Sequence, residues 1–216
     1  MTSEVDQFLA IYDATLDNDI GETAISNTFV FSPGGLSGLN KDGVFQAQAN
    51  TPFASATYLY DTLSLTQTTR LPWDTAWVLK LEGQMADHNL LPSEELGAGG
   101  HDSVRGYDER VANGSQGILI SNELRSPSFS LLRGFAPGDL TDQAQLLVFW
   151  DYASVREHQI TPGNPSSFQL SGVGGGIRYT VSRFVDLRAD YGHQMLKLPG
   201  ATKLGQVLHV SMTVGY

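Results

Sequence analysis

The chain has no cysteine among its 216 residues, which excludes a disulfide framework, a thiolate nucleophile and a cysteine-ligated metal. Charge is scarce: 17% of residues are charged, against about 25% in an ordinary soluble domain. Positive charge is scarcer still, with 13 Lys+Arg against 23 Asp+Glu and a formal net charge of -10. Such a chain lacks the basic stripe that grips phosphate backbones, so nucleic acid is not an expected partner. No run approaches the roughly 20 apolar residues of a membrane-crossing helix. The N-terminus, Met1-Thr2-Ser3-Glu4-Val5-Asp6-Gln7, is acidic, and the short apolar run at 8–12 stops at Asp13. That is not a signal-peptide pattern, and read from Met1 alone it places the chain in the cytoplasm.

What the sequence does contain is a period of two. Asp186, Arg188 and Asp190 alternate with Val185, Leu187, Ala189 and Tyr191, and Leu208, Val210, Met212 and Val214 oppose His209, Ser211, Thr213 and Gly215. Ile118, Ile120 and Leu124 alternate with Gly117, Ser121, Glu123 and Arg125. Leu146, Val148, Trp150 and Tyr152 alternate with Leu147, Phe149, Asp151 and Ala153. No segment holds a 3.6-residue apolar stripe for three turns, so the chain reads as all-β.

Nine strands are predicted, at 7–16, 21–31, 54–69, 73–85, 114–125, 143–155, 168–180, 183–196 and 204–216. The stretch 45–50 is an extra short strand or the early part of the third. They are longer than the usual 5–6 residues of a globular sheet. Short turns at 17–19, 70–72 and 181–182 contrast with longer connections at 32–53, 87–113, 126–142, 157–167 and 199–203. Long strands with short turns on one side and long loops on the other describe an antiparallel transmembrane β-barrel of outer-membrane type. Trp73, Trp77, Tyr152, Phe184 and Tyr216 fall near strand ends, where an interfacial girdle sits. A soluble β-sandwich or lipocalin-like barrel also alternates and is the competing reading.

The most informative stretch is 90–127. A glycine-rich loop with Gly97, Gly99, Gly100 and Gly106 surrounds Ser103-Val104-Arg105-Gly106-Tyr107, and a strand then ends in Glu123-Leu124-Arg125-Ser126-Pro127. The next strand carries Phe149-Trp150-Asp151-Tyr152-Ala153. Alternation puts Glu123, Arg125 and Asp151 on the polar face, the lumen of a barrel. An infolded loop would set Arg105 against those carboxylates, and guanidinium suits the task because its fork is bidentate and its charge survives partial desolvation.

These residues resemble the haemolysin-activator family of two-partner secretion transporters (ShlB/FhaC/HecB). Val104-Arg105-Gly106-Tyr107 matches its superfamily loop marker. Leu91-Pro92-Ser93-Glu94, Gly99-Gly100, Ser103 and Glu123-Leu124-Arg125 resemble the secretion branch. The strand marker Phe-x-Asp-x-Gly is met by Phe149 and Asp151, with Ala153 in the glycine place.

The resemblance implies an outer-membrane barrel whose loop 87–113 enters the lumen, with Arg105 paired to Asp151 and Glu123 a second partner. It implies translocation of a large secreted exoprotein, with no cofactor or metal and no enzymatic activity. Outer-membrane lipid surrounds such a barrel, and the barrel-assembly machinery reads a C-terminal signal, here Val214 and Tyr216. At about nine strands, residues 1–216 read as the C-terminal part of the barrel, with early strands, periplasmic repeats and signal absent. A barrel-insertion factor of the same superfamily and a soluble ligand-binding β-barrel are the alternatives.

Other patterns carry less. His101-Asp102-Ser103 holds triad residue types, but loop neighbours seldom form a triad and no nucleophile elbow is present. Gly172-Val173-Gly174-Gly175-Gly176 precedes no helix, so it reads as strand glycines that bend or admit an inner loop. The five histidines show no ligand spacing. The acidic loop residues Glu94, Glu95, Asp102, Asp108 and Glu109 read as solvated charge.

Overall fold

Apolar and polar residues alternate along every long segment, and in a computed structural model they fall on opposite faces of one sheet. The structure describes residues 2–132, 141–163 and 165–215. In chain order the elements are β1 (Phe8–Asn18), β2 (Gly21–Pro33), α1 (Asp42–Ala49), β3 (Thr57–Arg70), β4 (Ala76–Ala86), β5 (Leu96–Ala98) and β6 (Ala112–Gly114). There follow β7 (Gln116–Arg125), β8 (Asp142–Arg156), β9 (Phe168–Val181), β10 (Val185–Gln194) and β11 (Gln206–Val214). Nine of the strands form a single antiparallel sheet in the order β1-β2-β3-β4-β7-β8-β9-β10-β11, and β5-β6 make a small separate ribbon. The sheet is not closed: β1 and β11 are its free edges. No described helix is long and apolar enough to cross a membrane, whereas the sheet strands run from 9 to 15 residues. A tilted membrane strand needs about 9–11.

Polarity is inverted relative to a soluble sheet. On β8 the outward Leu146, Val148 and Trp150 are exposed, and the inward set runs Leu147, Phe149, Asp151, Ala153 and Val155, all buried. On β11 the outward Leu208, Val210 and Met212 are each more than 60% exposed. In water so continuous an apolar face would be an association surface; on a barrel wall it is the lipid side. The charged residues Glu123, Asp151 and Asp190 are instead buried on the inner face. A sandwich or lipocalin would not be expected to bury so many charged side chains beside its apolar ones. The fold is that of an incomplete outer-membrane-type β-barrel.

Two apolar clusters sit on the inner face. One, at the long-loop end, joins Val30, Phe45, Tyr58, Tyr60, Leu90 and Leu91. The other joins Leu96, Val104, Tyr107, Leu119, Ala153, Val155 and Leu170, where the long β4–β7 connection lies against the wall.

The sequence reading needs three corrections. Residues 45–50, expected to be a short extra strand or the early part of the third, hold the end of α1 and its C-cap. Its Phe45 is fully buried against Tyr58, and Asn50 ends it in the left-handed conformation (φ 51°), donating its N–H to Gln46 O. Second, the connection 126–142 sits at the short-turn end, because β8 returns antiparallel from β7. Length therefore does not alternate strictly with side. Its described portion is held by a Phe129–Ala144 bridge and by Asp142, which accepts the N–H groups of Leu131 and Leu132. Third, the ribbon β5-β6 inside the long connection was not foreseen, since three-residue strands leave no periodic signal.

Replacing Phe45 by Ala should cost about 3–5 kcal/mol at its site. It should make the segment 34–56 protease-sensitive while the strand content seen by circular dichroism stays unchanged.

A buried arginine clamp on the barrel wall

The connection between β4 and β7 turns inward instead of leaving the barrel mouth. The β5-β6 ribbon carries it down, pairing Leu96 with Gly114 and Ala98 with Ala112. Gly99 (φ 101°) and Gly100 (φ 106°) then bend the chain into conformations closed to other residues. At the tip Arg105 is 2% exposed. Its Nε donates to Asp151 Oδ2 at 2.7 Å and its Nη2 to Asp151 Oδ1 at 2.8 Å, a bidentate fork. Nη1 donates to Glu123 Oε1 at 2.6 Å and Nη2 to Ser121 Oγ at 3.1 Å. The Arg105 backbone N–H also reaches Asp151 Oδ2, at 3.0 Å. The Phe149 ring lies against the guanidinium, 3.5 Å from Cζ to the ring centroid. Burial works against the charge on Arg105, but Asp151 and Glu123 outweigh it and hold the proton more tightly than usual.

Further arginines complete the cluster. Glu123 accepts Arg125 Nε at 2.9 Å. Asp190 on β10 accepts Arg178 Nη1 at 2.7 Å and Arg188 Nε at 2.9 Å, and lies 3.8 Å from Arg105 Nη1. Buried carboxylates thus meet cations from the loop and from three strands. A charge removed from water needs this, since an isolated one would cost far more than its contacts return.

Backbone packing seats the tip. A Cβ on Gly172 would stand 2.0 Å from the Arg105 carbonyl oxygen, and one on Gly192 would stand 2.4 Å from Gly106 N. Gly106 (φ 99°) lies against the β10 backbone, and Gln194 Nε2 donates to its carbonyl at 2.9 Å. Tyr107 is fully buried, its hydroxyl 2.6 Å from Leu196 O and 3.0 Å from Ser171 O. Val104 packs with Ala98, Leu119, Ala153 and Leu170.

The sequence-selected residues Val104, Arg105, Gly106, Tyr107, Glu123, Phe149 and Asp151 therefore come together, and Arg125 joins through Glu123. Ala153, in the family's glycine place, is fully buried with room for its methyl; the close backbone approaches fall at Gly172 and Gly192. Val214 ends β11 with its side chain exposed, away from this cluster, and Tyr216 lies outside the described residues. Asp190, Arg178, Arg188 and Ser121 were not singled out, although alternation had already put Arg188 and Asp190 on the polar face.

A family model for haemolysin secretion/activation proteins of the ShlB/FhaC/HecB type matches residues 28–179, which include the loop and both strands that hold Arg105. The chain belongs to this family. The solved structure of CdiB from Escherichia coli is similar to it, with a TM-score of 0.71 at 19% identity. That likeness, one of fold, covers 95% of this chain and 35% of the other, so this ShlB/FhaC/HecB member spans about a third of that chain's length. No curated protein matches significantly in sequence.

Beside the loop, a cavity of about 480 Å³ is lined by Thr28, Tyr60, Glu82, Glu95 and Arg110 among others. Burial first, and neighbouring Glu157 second, push the Glu95 carboxyl up to about 8, with Arg110 opposing. A carboxyl raised in this way favours the seated loop while protonated. Its contribution is complete below its ordinary value near 4.5 and is lost as pH rises through about 8.

Arg105→Ala leaves Asp151 and Glu123 buried without their cation and should cost about 3–5 kcal/mol. Gly172→Val should unseat the loop by collision alone. Both variants should open trypsin cleavage at the exposed Arg110, read by mass spectrometry. For Glu95→Gln, the increase in that cleavage between pH 7 and pH 9 should disappear.

Proposed function

We propose that this chain forms the C-terminal wall of an outer-membrane pore that exports a large, unfolded secreted partner, with the Arg105 loop as its lumenal element. The observation carrying this reading is the Arg105 clamp on the inner face of a wall with inverted polarity, in a member of a secretion/activation family. A buried cation on a loop, met by carboxylates on the wall, defines one seated position for that loop. Releasing it widens the path along the wall; seating it narrows the path. No nucleotide is needed in this scheme, since folding of the exported chain outside draws it forward. Membrane lipid covers the apolar exterior, and the assembly machinery engages the C-terminal strand through Val214 and Tyr216.

The free edges also bear on function. Eight successive antiparallel pairings separate β1 from β11, so the two edge strands run in the same direction. Joining them to each other, or to a second copy in the same orientation, would create a parallel seam in an otherwise antiparallel barrel. An odd number of further strands closes the sheet with antiparallel seams throughout and an even total. The working pore is accordingly a longer assembly in which residues 1–216 are one part.

In the full-length transporter carrying this chain, Arg105→Ala should lower the amount of partner protein in the medium while heat-modifiable barrel persists in the outer membrane. Unchanged secretion from a correctly inserted variant would overturn the assigned role of the clamp.

A further inference from the structure

Away from Arg105, the same loop touches the last strand through two imidazoles. His101 in the loop and His209 on the inner face of β11 stand with ring centroids 6.2 Å apart. The Nε2 atoms of both are buried without a hydrogen-bond partner, and the His209 side chain is 9% exposed. The groups around them are already engaged. Asp102, 3.3 Å from His101 Nδ1, accepts Arg188 Nη1 at 2.8 Å, and Lys80 on β4 shares a cavity wall with it. Asp190, opposite His209 in the strand register, is held by Arg178 and Arg188. Glu109, 4.0 Å from His209 Nδ1, accepts the His101 backbone N–H at 2.7 Å. Arg188 further donates to the His101 carbonyl at 2.7 Å.

We infer that the His101–His209 contact is an acid-sensitive latch: it holds the loop to the last strand while the His101 ring is neutral and lets go when that ring is protonated. Three physical facts carry this. A protonated His101 stands beside the Arg188 guanidinium, which already reaches the His101 carbonyl, and the two cations repel. A proton on either Nε2 finds no acceptor, which a buried donor requires. Asp102 and Asp190 are already paired with arginines, and Glu109, the remaining carboxylate, is two-thirds exposed and 4.0 Å from His209 Nδ1, where water screens its pull. Accordingly His101 binds its proton less readily than usual, first through burial and then through Arg188, against the opposite pull of Asp102 and Asp190. For a histidine lowered in this way, the support for docking is complete above its ordinary value near 6.5 and is lost as pH falls below it. The Arg105 clamp carries no histidine, so acid loosens the β11 side of the loop and leaves the clamp in place.

The chain contains no cysteine, so spin labels can be placed cleanly at Asp108→Cys in the loop and Ser211→Cys on β11, both exposed positions. Distances are measured by double electron–electron resonance on the full-length protein in detergent micelles. A single short distance is expected at pH 7.5, and a second, longer population at pH 5. Adding His101→Gln with His209→Gln should keep the short distance at both values. An unchanged wild-type distribution at pH 5, or an acid response that persists in the double variant, would sink the latch. So would a double variant already released at pH 7.5, because the contact would then depend on ring packing and not on charge. The readout needs no export, so its failure is separate from failure of the transport reading.

Discussion

Arg105 buries a full positive charge inside the barrel, and much of the structure follows from what that charge demands. A guanidinium taken out of water must meet carboxylates at hydrogen-bond distance with its fork in their plane. Those carboxylates come from adjacent strands, Asp151 from β8 and Glu123 from β7, which register Asp151 beside Ser121 and Glu123 beside Phe149. A one-residue slip of either strand would turn its carboxylate to the outer, apolar face. The clamp therefore ties loop position and strand register to each other. The Arg105 backbone N–H, bonded to the same Asp151, extends the tie from side chain to main chain.

The loop could not reach this position over an ordinary strand surface. Gly172 on β9 and Gly192 on β10 leave the wall bare where the Arg105–Gly106 peptide comes to rest. Two independent features, the charge complement and the missing Cβ atoms, select the same seat. Around it the second apolar cluster excludes water from Val104 and Tyr107, which strengthens the ion pairs beneath. At its base and outer flank the loop is held by titratable groups instead. Glu95 supports it in acid and the His101–His209 pair supports it near neutrality, so the seat is fixed at its centre and adjustable at its edges.

The low charge content acquires a meaning in this setting. The exterior of the sheet spends almost no charge, while the interior concentrates Arg105, Arg125, Arg178 and Arg188 with Glu123, Asp151 and Asp190. A soluble domain distributes its charges outward to stay dissolved. Here the outer face is apolar and the charge lies on the inner face, so the two are exchanged. β1 and β11 remain the unpaired edges of this wall, and an unpaired edge is a template for pairing with a further strand.

Sequence alone determined the strands and their faces. A period of two is set by the pleat, so Glu123, Arg125 and Asp151 could be placed on one side before any contact was known. The order of motifs, Val104-Arg105-Gly106-Tyr107 before Glu123 and then Phe149-x-Asp151, also singled out the residues that meet at the clamp. Alternation fixes a face but not a neighbour, however, and that is where sequence stopped. Asp190 lies 85 residues from Arg105, and His209 lies 108 from His101; only the tertiary path of the loop across β7 to β11 brings either pair together. Which glycines matter was likewise undecided, because Gly172 and Gly192 are distinguished from Gly175 or Gly205 solely by the backbone resting on them. The helix at Phe45 was missed for a related reason: eight residues carry too little period to outweigh a single buried ring, and that ring's socket is built from β2, β3 and the start of the loop.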